Sequence, residues 1–247
     1  MIPRFHPGSM ALPLSMVKAP TFCGIDVKPS ELDVIIGDCH PASNFDPFAP
    51  AHVIRPVFIG KVHDEHEALF MLQQYRPRLT LADARPDTSM AERLQRMAEK
   101  VGLVVWRAQY HTQPGGTVEM TKNDKENLVT LERTMTLDHV LHAFQTGQSV
   151  ILPQNYRHIT EGRFARQMTN SVRTYFRTGA GRDVWIWEKQ GEDDALHSFN
   201  LMLTAYRMSD ISGWSSIETM GATKGIVEST LEENFSIERD FGIFYES

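Results

Sequence analysis

At 247 residues the chain is long enough for one large domain or for a domain with appendages. Apolar residues make up 41% and charged residues 23%, which is ample for a core and close to the average of soluble proteins. The formal net charge of −6 is opposite in sign to that of a nucleic-acid coat or architectural protein, although an enzyme that meets DNA in one groove need not be basic. No apolar run approaches the ~20 residues of a membrane span. Pro3, Pro7, Gly8, Pro13 and Pro20 interrupt any signal-peptide core. Two cysteines, Cys23 and Cys39, cannot build a disulfide framework and read as reduced core thiols.

Residues 1–20 carry Pro, Met and Gly without a sustained period and read as a linker or an N-terminal arm. A domain is expected over residues 21–208, followed by a C-terminal tail over 209–247 that is Ser/Gly-rich and then acidic. The apolar run Phe22–Val27 predicts a buried strand, and Pro29-Ser30-Glu31 a turn into a second strand over Leu32–Asp38, so the start is an antiparallel hairpin. A Pro-rich loop is expected over residues 40–56, then a strand over Val57–Val62. Ala68, Leu69, Met71 and Leu72 predict a helix over Asp64–Gln74 that stops before Arg76-Pro77. Leu79–Ala84 reads as a strand, Met90–Val101 as a helix capped by Thr88 or Ser89, and Leu103–Trp106 as a strand.

Residues 109–127, with Pro114-Gly115-Gly116 and a charged run, read as a long loop or flexible hairpin. Thr136 is expected to cap a helix over Leu137–Gln145 that Gly147 ends, with a short strand over Ser149–Pro153 after it. His158–Met168 reads as a short helix, Val172–Glu188 as a hairpin around a Gly-rich turn, and Asp194–Tyr206 as a helix. Strands alternating with helices after a meander predict an α/β fold: a central mixed sheet with helices on both faces.

Three carboxylates stand out. Asp26 lies inside an apolar strand, where a charge costs several kcal/mol unless something positive meets it. Asp83 ends a second apolar strand, and Asp193-Asp194 opens a helix. Each has a simpler use: a strand-end residue, a turn before Arg85-Pro86, an acidic helix start. Together they suggest one site for Mg²⁺ or Mn²⁺, in which two ions ~3.5–4 Å apart would clamp the attacking water and the leaving oxygen of a phosphodiester. Asp33 is either a further carboxylate facing that site or a hairpin residue turned to solvent.

The segments G-I-D-V-K-P, L-A-D-A-R-P-D, L-E-R-T-M-T-L-D-H-V-L with V-I-L-P, and W-E-K-Q-G-E-D-D-A-L-H-S-F-N, in this order, resemble the nuclease domain of tailed-bacteriophage large terminase subunits. The resemblance covers roughly residues 22–206. It implies an RNase H-like fold of the integrase and resolvase superfamily and a hydrolase, an endodeoxyribonuclease that cuts concatemeric double-stranded DNA at packaging. It makes Asp26, Asp83 and Asp194 the catalytic acids, with Asp26, Asp83, Asp193 and Asp194 as metal ligands for two Mg²⁺ or Mn²⁺ ions. The partners it implies are double-stranded DNA, the terminase small subunit, the portal protein and an ATPase domain; it implies the host cytoplasm as the place of action.

No G-x-x-x-x-G-K-[ST] phosphate loop is present, so motor activity is not expected of this chain, which reads as a nuclease fragment or a stand-alone relative. Residues 157–182 hold six arginines against one acid, Glu161. Arg163, Arg166, Arg173 and Arg177 are therefore candidates for DNA phosphates, and Lys122 and Lys125 for a flap over DNA. His197, one turn past Asp194, is a candidate supporting group. Two alternatives stand beside this reading: a resolvase- or transposase-like nuclease of the same fold, and a catalytically silent RNase H-like docking module.

Overall fold

The structure, a computed structural model, describes residues 8–41, 52–111, 118–145, 149–177, 181 and 183–209. The C-terminal tail from residue 210, the Pro114–Gly116 stretch, Gly147 and residues 178–180 and 182 of the hairpin turn lie outside these residues.

An eight-stranded sheet forms the centre, in the order β1-β4-β3-β2-β5-β6-β8-β7. Its strands are β1 (Met10–Ala11), β2 (Thr21–Val27), β3 (Leu32–Pro41), β4 (His52–Val62), β5 (Leu79–Asp83), β6 (Val105–Tyr110), β7 (Met120–Asn123) and β8 (Leu128–Leu131). β2 pairs antiparallel with β3 and parallel with β5, β3 pairs antiparallel with β4, and β5, β6 and β8 run parallel. A central strand with an antiparallel meander on one side and parallel strands on the other is the RNase H-like arrangement, and the expected fold class holds. A separate two-stranded ribbon pairs β9 (Ser171–Arg177) with β10 (Asp183–Lys189).

The strand period of two explains how the sheet divides its core. Cys23, Ile25 and Val27 of β2 pack on one face against α1 (Glu65–Tyr75) and α2 (Thr88–Glu99). Phe22 points to the other face, under α3 (Arg133–Gln145), α4 (Arg163–Met168) and α5 (Asp194–Arg207). Cys23 and Cys39 fall on opposite faces, both buried and free, as expected of reduced core thiols.

Several boundaries differ from the sequence expectation. Met10 and Ala11, within the expected arm, pair with Ile59 and Phe58 at the sheet edge. The expected loop over 40–56 is shorter, because β3 runs to Pro41 and β4 starts at His52, the two paired antiparallel with a register shift between Ile36 and Gly37. β6 extends to Tyr110, beyond the expected end at Trp106. Two of its polar side chains find partners there: Arg107 Nη1 bonds Glu92 Oε1 at 2.8 Å and Gln109 Nε2 donates to Thr130 Oγ1 at 3.0 Å. Asp87, not Thr88 or Ser89, caps α2, accepting from Met90 N at 3.0 Å. Thr136 is inside α3 and does not cap it; Glu132 accepts from Met135 N instead. Of the expected strand over 149–153, only Val150 makes a bridge, with Ile54. The expected helix over 158–168 is a 3-10 segment to Gly162 followed by α4.

Candidate active site

The site is built where α5 crosses β2. The helix backbone lies so close to the strand that only glycine fits at position 24: a Cβ there would sit 1.9 Å from Ser198 O and 2.4 Å from Met202 N. This close approach seats the Ser198 hydroxyl between two strands, where it accepts from Asp26 N at 3.3 Å and donates to Asp33 O at 2.9 Å. It also brings Asp194, the first residue of α5, toward the C-terminal ends of β2 and β5.

Asp26 and Asp83 are neighbours there. The parallel register runs Gly24↔Leu81 and Ile25↔Ala82, so the next residues, Asp26 and Asp83, lie side by side on the α5 face. Burial, reinforced by the charges of Asp83, Asp194 and Asp33 and only partly offset by Lys28, pushes the Asp26 carboxyl well above the usual carboxylate range. Burial likewise raises Asp83, against the Arg85 backbone N–H and the charges of His197 and Arg85. Asp83 also turns the chain, since its Oδ1 accepts from Arg85 N at 2.9 Å. Asp33 is not turned to solvent. It is buried, its Oδ2 receives no hydrogen bond among the described residues, and Lys28 Nζ and Lys61 Nζ approach that oxygen at 3.3 and 3.5 Å.

The structure thus brings Asp26, Asp83, Asp194 and Asp33 into one electrostatic cluster. Asp193 stands apart from it. Its Oδ2 is met by Arg133 Nη2 at 3.1 Å, Ser171 Oγ at 2.7 Å and His197 Nε2 at 3.3 Å, and its Oδ1 by Lys189 Nζ at 2.7 Å. These partners outweigh its burial and hold the carboxyl well below the ordinary value. His197 links this knot to the cluster, with Nδ1 3.1 Å from Tyr110 Oη. The Tyr110 hydroxyl also accepts from Asn200 Nδ2 at 3.0 Å; burial, and after it the charge of Asp83, raise its pKa strongly.

Sequence reasoning missed Lys28, Gln167 and Ser198. Lys28 bonds Asp194 Oδ2, which also accepts from Gln167 Nε2 at 3.0 Å. For Lys28 a signal existed: two residues past Asp26, it falls on the same side of the chain. Gln167 and Ser198 reach the site only through the tertiary packing of α4 and α5 on the sheet.

As donors, these oxygens suit a hard divalent cation such as Mg²⁺ or Mn²⁺. Asp26 and Asp83 repel one another without a direct lysine or arginine partner among the described residues, and such a pair gains from a cation between them. The spacing is not that of a closed cage: among the described residues no group of three or more His, Cys, Asp or Glu side chains is placed to hold a metal ion.

No protein-family model matches the sequence, and no curated protein matches it. The solved structures similar to this chain include large terminase nuclease domains. The large terminase nuclease from thermophilic phage G20c aligns over 84% of this chain and 91% of its own, with 14% identity and a TM-score of 0.45. A Thermus phage large terminase nuclease domain aligns over 83% and 89%, with 14% identity and a TM-score of 0.44. Thermus thermophilus RuvC aligns over 35% of this chain and 60% of its own, with 15% identity and a TM-score of 0.29.

The cationic candidates are placed unevenly. Arg163 and Arg166 lie on α4, beside α5, and Arg163 is near enough to help lower the Glu31 carboxyl, after Lys61 and Lys28. Arg177, at the end of β9, is exposed. Arg173 is engaged: Nη2 bonds Asp138 Oδ2 at 2.9 Å, and its guanidinium lies 5.0 Å from the Trp185 ring. Lys122 lies on β7 and Lys125 in the β7–β8 turn, both exposed at the edge of the sheet. No helix among the described residues is long and apolar enough to cross a membrane.

Proposed function

We propose that this chain is a metal-dependent endodeoxyribonuclease of a viral DNA-packaging terminase, which hydrolyses phosphodiesters of concatemeric double-stranded DNA with two Mg²⁺ or Mn²⁺ ions. One observation carries the reading. Two carboxylates with raised pKa stand side by side at the ends of adjacent parallel strands, beneath a helix that begins with a third. Strand ends of this kind are where open α/β sheets bind ligands, and unpaired carboxylates with perturbed pKa are more common at functional sites than elsewhere.

In this reading Asp26, Asp83 and Asp194 are the catalytic acids and would hold the ions. When bound, the ions would lower the pKa of the attacking water and neutralise charge on the leaving oxygen. Asp193, with its four partners, serves to fix the start of α5 and so to position Asp194. Ser198 holds the Asp26 backbone, and Asp83 is oriented by the Arg85 amide. Arg163, Arg166 and Arg177 supply phosphate contacts, with Lys122 and Lys125 at the far edge; Arg173 acts by fixing the β9–β10 ribbon to α3. The terminase small subunit, the portal protein and an ATPase domain are the partners such a nuclease would meet in the host cytoplasm.

The test is incubation of supercoiled and linear plasmid with the protein and Mg²⁺ or Mn²⁺, with Asp83→Ala as control. Cutting that needs the metal and is lost in Asp83→Ala is the expected result. DNA binding without cutting, equal in both proteins, would turn the reading to a silent docking module. Cutting confined to branched DNA would turn it to a resolvase.

A further inference from the structure

The Lys28 side chain lies against three carboxylates, those of Glu31, Asp33 and Asp194. Its backbone N–H donates to Glu31 O at 3.0 Å, which fixes the turn between β2 and β3 and anchors the base of the side chain. Its ammonium bonds Asp194 Oδ2 and lies 3.3 Å from Asp33 Oδ2 and 3.8 Å from Glu31 Oε1. Lys61 cannot replace it, because that ammonium is buried against Glu31 and is 3.5 Å from Asp33. Asp26 and Asp83, by contrast, have no ammonium in hydrogen-bond contact among the described residues.

We propose that Lys28 is a tethered counter-cation of this carboxylate cluster and sets its metal stoichiometry. In the DNA-free protein one divalent ion binds, at Asp26 and Asp83, and a second binds at Asp194 only as the Lys28 ammonium is displaced. This rests on the nuclease reading above and goes beyond it in saying which of the two ions is withheld, and by what.

The physical reason is competition for one site. An ammonium and a divalent ion repel each other, and each stabilises the same carboxylate by the same Coulombic attraction. A lysine fixed by its own strand holds its place without the translational entropy that a free ion loses on binding. Asp194 Oδ2 is already engaged by Lys28 and by Gln167 Nε2 at 3.0 Å, so an ion at that oxygen must displace or share these donors.

The experiment is Mn²⁺ titration of the DNA-free protein, followed by calorimetry and by the electron paramagnetic resonance signal of free Mn²⁺. Wild type should bind one ion tightly and a second at least tenfold more weakly. Lys28→Met, which keeps the stem and removes the charge, should bind the second ion at least tenfold more tightly than wild type. Lys28→Arg should behave as wild type. Identical isotherms for wild type and Lys28→Met would overturn the proposal, as would two equal sites in wild type. Loss of the first site in Asp26→Ala, with no effect of Lys28→Met, would leave the nuclease reading and remove Lys28 from it. No Mn²⁺ binding in wild type would remove both. If Lys28→Met does not fold, the comparison is made between Asp33→Asn and Asp33→Asn/Lys28→Met, in which one buried negative charge is absent from both proteins; the same tenfold criterion applies.

Discussion

Replacing Asp26 by Asn in metal-free protein should stabilise the fold, although it removes the central residue of the site. Asp26 and Asp83 follow in register from Ile25↔Ala82 on neighbouring strands. Neighbouring strands are ~4.8 Å apart. Two charges at that distance repel by about 3.5 kcal/mol at an effective dielectric constant of about 20. Lys28 offsets part of this, so a gain of about 1–3 kcal/mol is expected at pH 8 in EDTA. For a domain of this size that corresponds to a Tm higher by about 2–12 °C, at about 2–4 °C per kcal/mol. The sign with pH follows from the direction of the shift. A carboxyl whose folded pKa is raised contributes stability that is complete below its unfolded value of about 4 and is lost as pH rises through the folded value. The advantage of Asp26→Asn over wild type should therefore be largest at pH 8 and shrink toward pH 5. Millimolar Mn²⁺ should raise the Tm of wild type by mass action and leave Asp26→Asn nearly unmoved. Thermal unfolding followed by circular dichroism in EDTA and in Mn²⁺, at both pH values, makes the comparison. A metal-free Asp26→Asn that is less stable than wild type at pH 8 would refute the reasoning, because the carboxylate would then have to be satisfied in the fold.

Gly24→Ala should cost at least about 3 kcal/mol, the upper end for an overpacked core, because the added Cβ meets the α5 backbone and no side chain can swing away; urea unfolding measures it, and a loss under about 1 kcal/mol, the lower end of the same range, would mean that α5 sits higher on β2. Glu119 sets the acid limb of stability: burial would raise its carboxyl, but the hydrogen bonds and charges of His139 and Arg207 hold it at about 2, below the ordinary 4.5. Its contribution, up to about 3 kcal/mol at 1.36 kcal/mol per pKa unit, is present above pH 4.5 and lost as pH falls toward about 2, so Glu119→Gln should be the less stable at neutral pH and show a flatter acid limb in unfolding titrations. Arg163→Ala/Arg166→Ala should weaken DNA binding without changing the cutting rate at saturating DNA, and should lower the salt slope of log K by about 0.9 for each phosphate that is no longer neutralised; an unchanged slope in fluorescence-anisotropy titrations would place the DNA elsewhere.

β2, most of β3, the second half of β4 and β5 were legible because they carry apolar runs near Pro or Gly, and Asp26 and Asp83 are conspicuous in two of them. The carboxylate cluster followed from placing charges in apolar strands, where nothing local compensates them. What local pattern did not contain was supplied at long range. β6 read as ending at Trp106 because Arg107 and Gln109 look like loop residues, yet their partners, Glu92 and Thr130, lie on α2 and β8. Asp33 read better as a solvent-facing hairpin residue than as part of the site, since the two lysines beside it come from the turn and from β4. Gly24 has no local signature at all. Its reason is the backbone of a helix that begins at Asp194, far along the chain, and that helix is buried on nearly every side, so its amphipathic period gives no orientation.

Asp193 and Asp194 show why residue type is insufficient to assign a site. Adjacent and chemically identical, they diverge because successive residues at the start of a helix point about 100° apart. Asp193 points toward α3 and the β9–β10 ribbon, where Arg133, Lys189, Ser171 and His197 engage both oxygens. Both contacts to Asp194, from Lys28 and Gln167, fall on one oxygen, Oδ2. A metal must displace or share whatever donors a carboxylate already has, so a saturated carboxylate holds structure and one with a remaining lone-pair face is suited to ligation. By that criterion Asp26, with no donor on its carboxylate among the described residues, would rank first as a ligand, Asp83 second with backbone donors alone, Asp194 third, and Asp193, with both oxygens engaged, last.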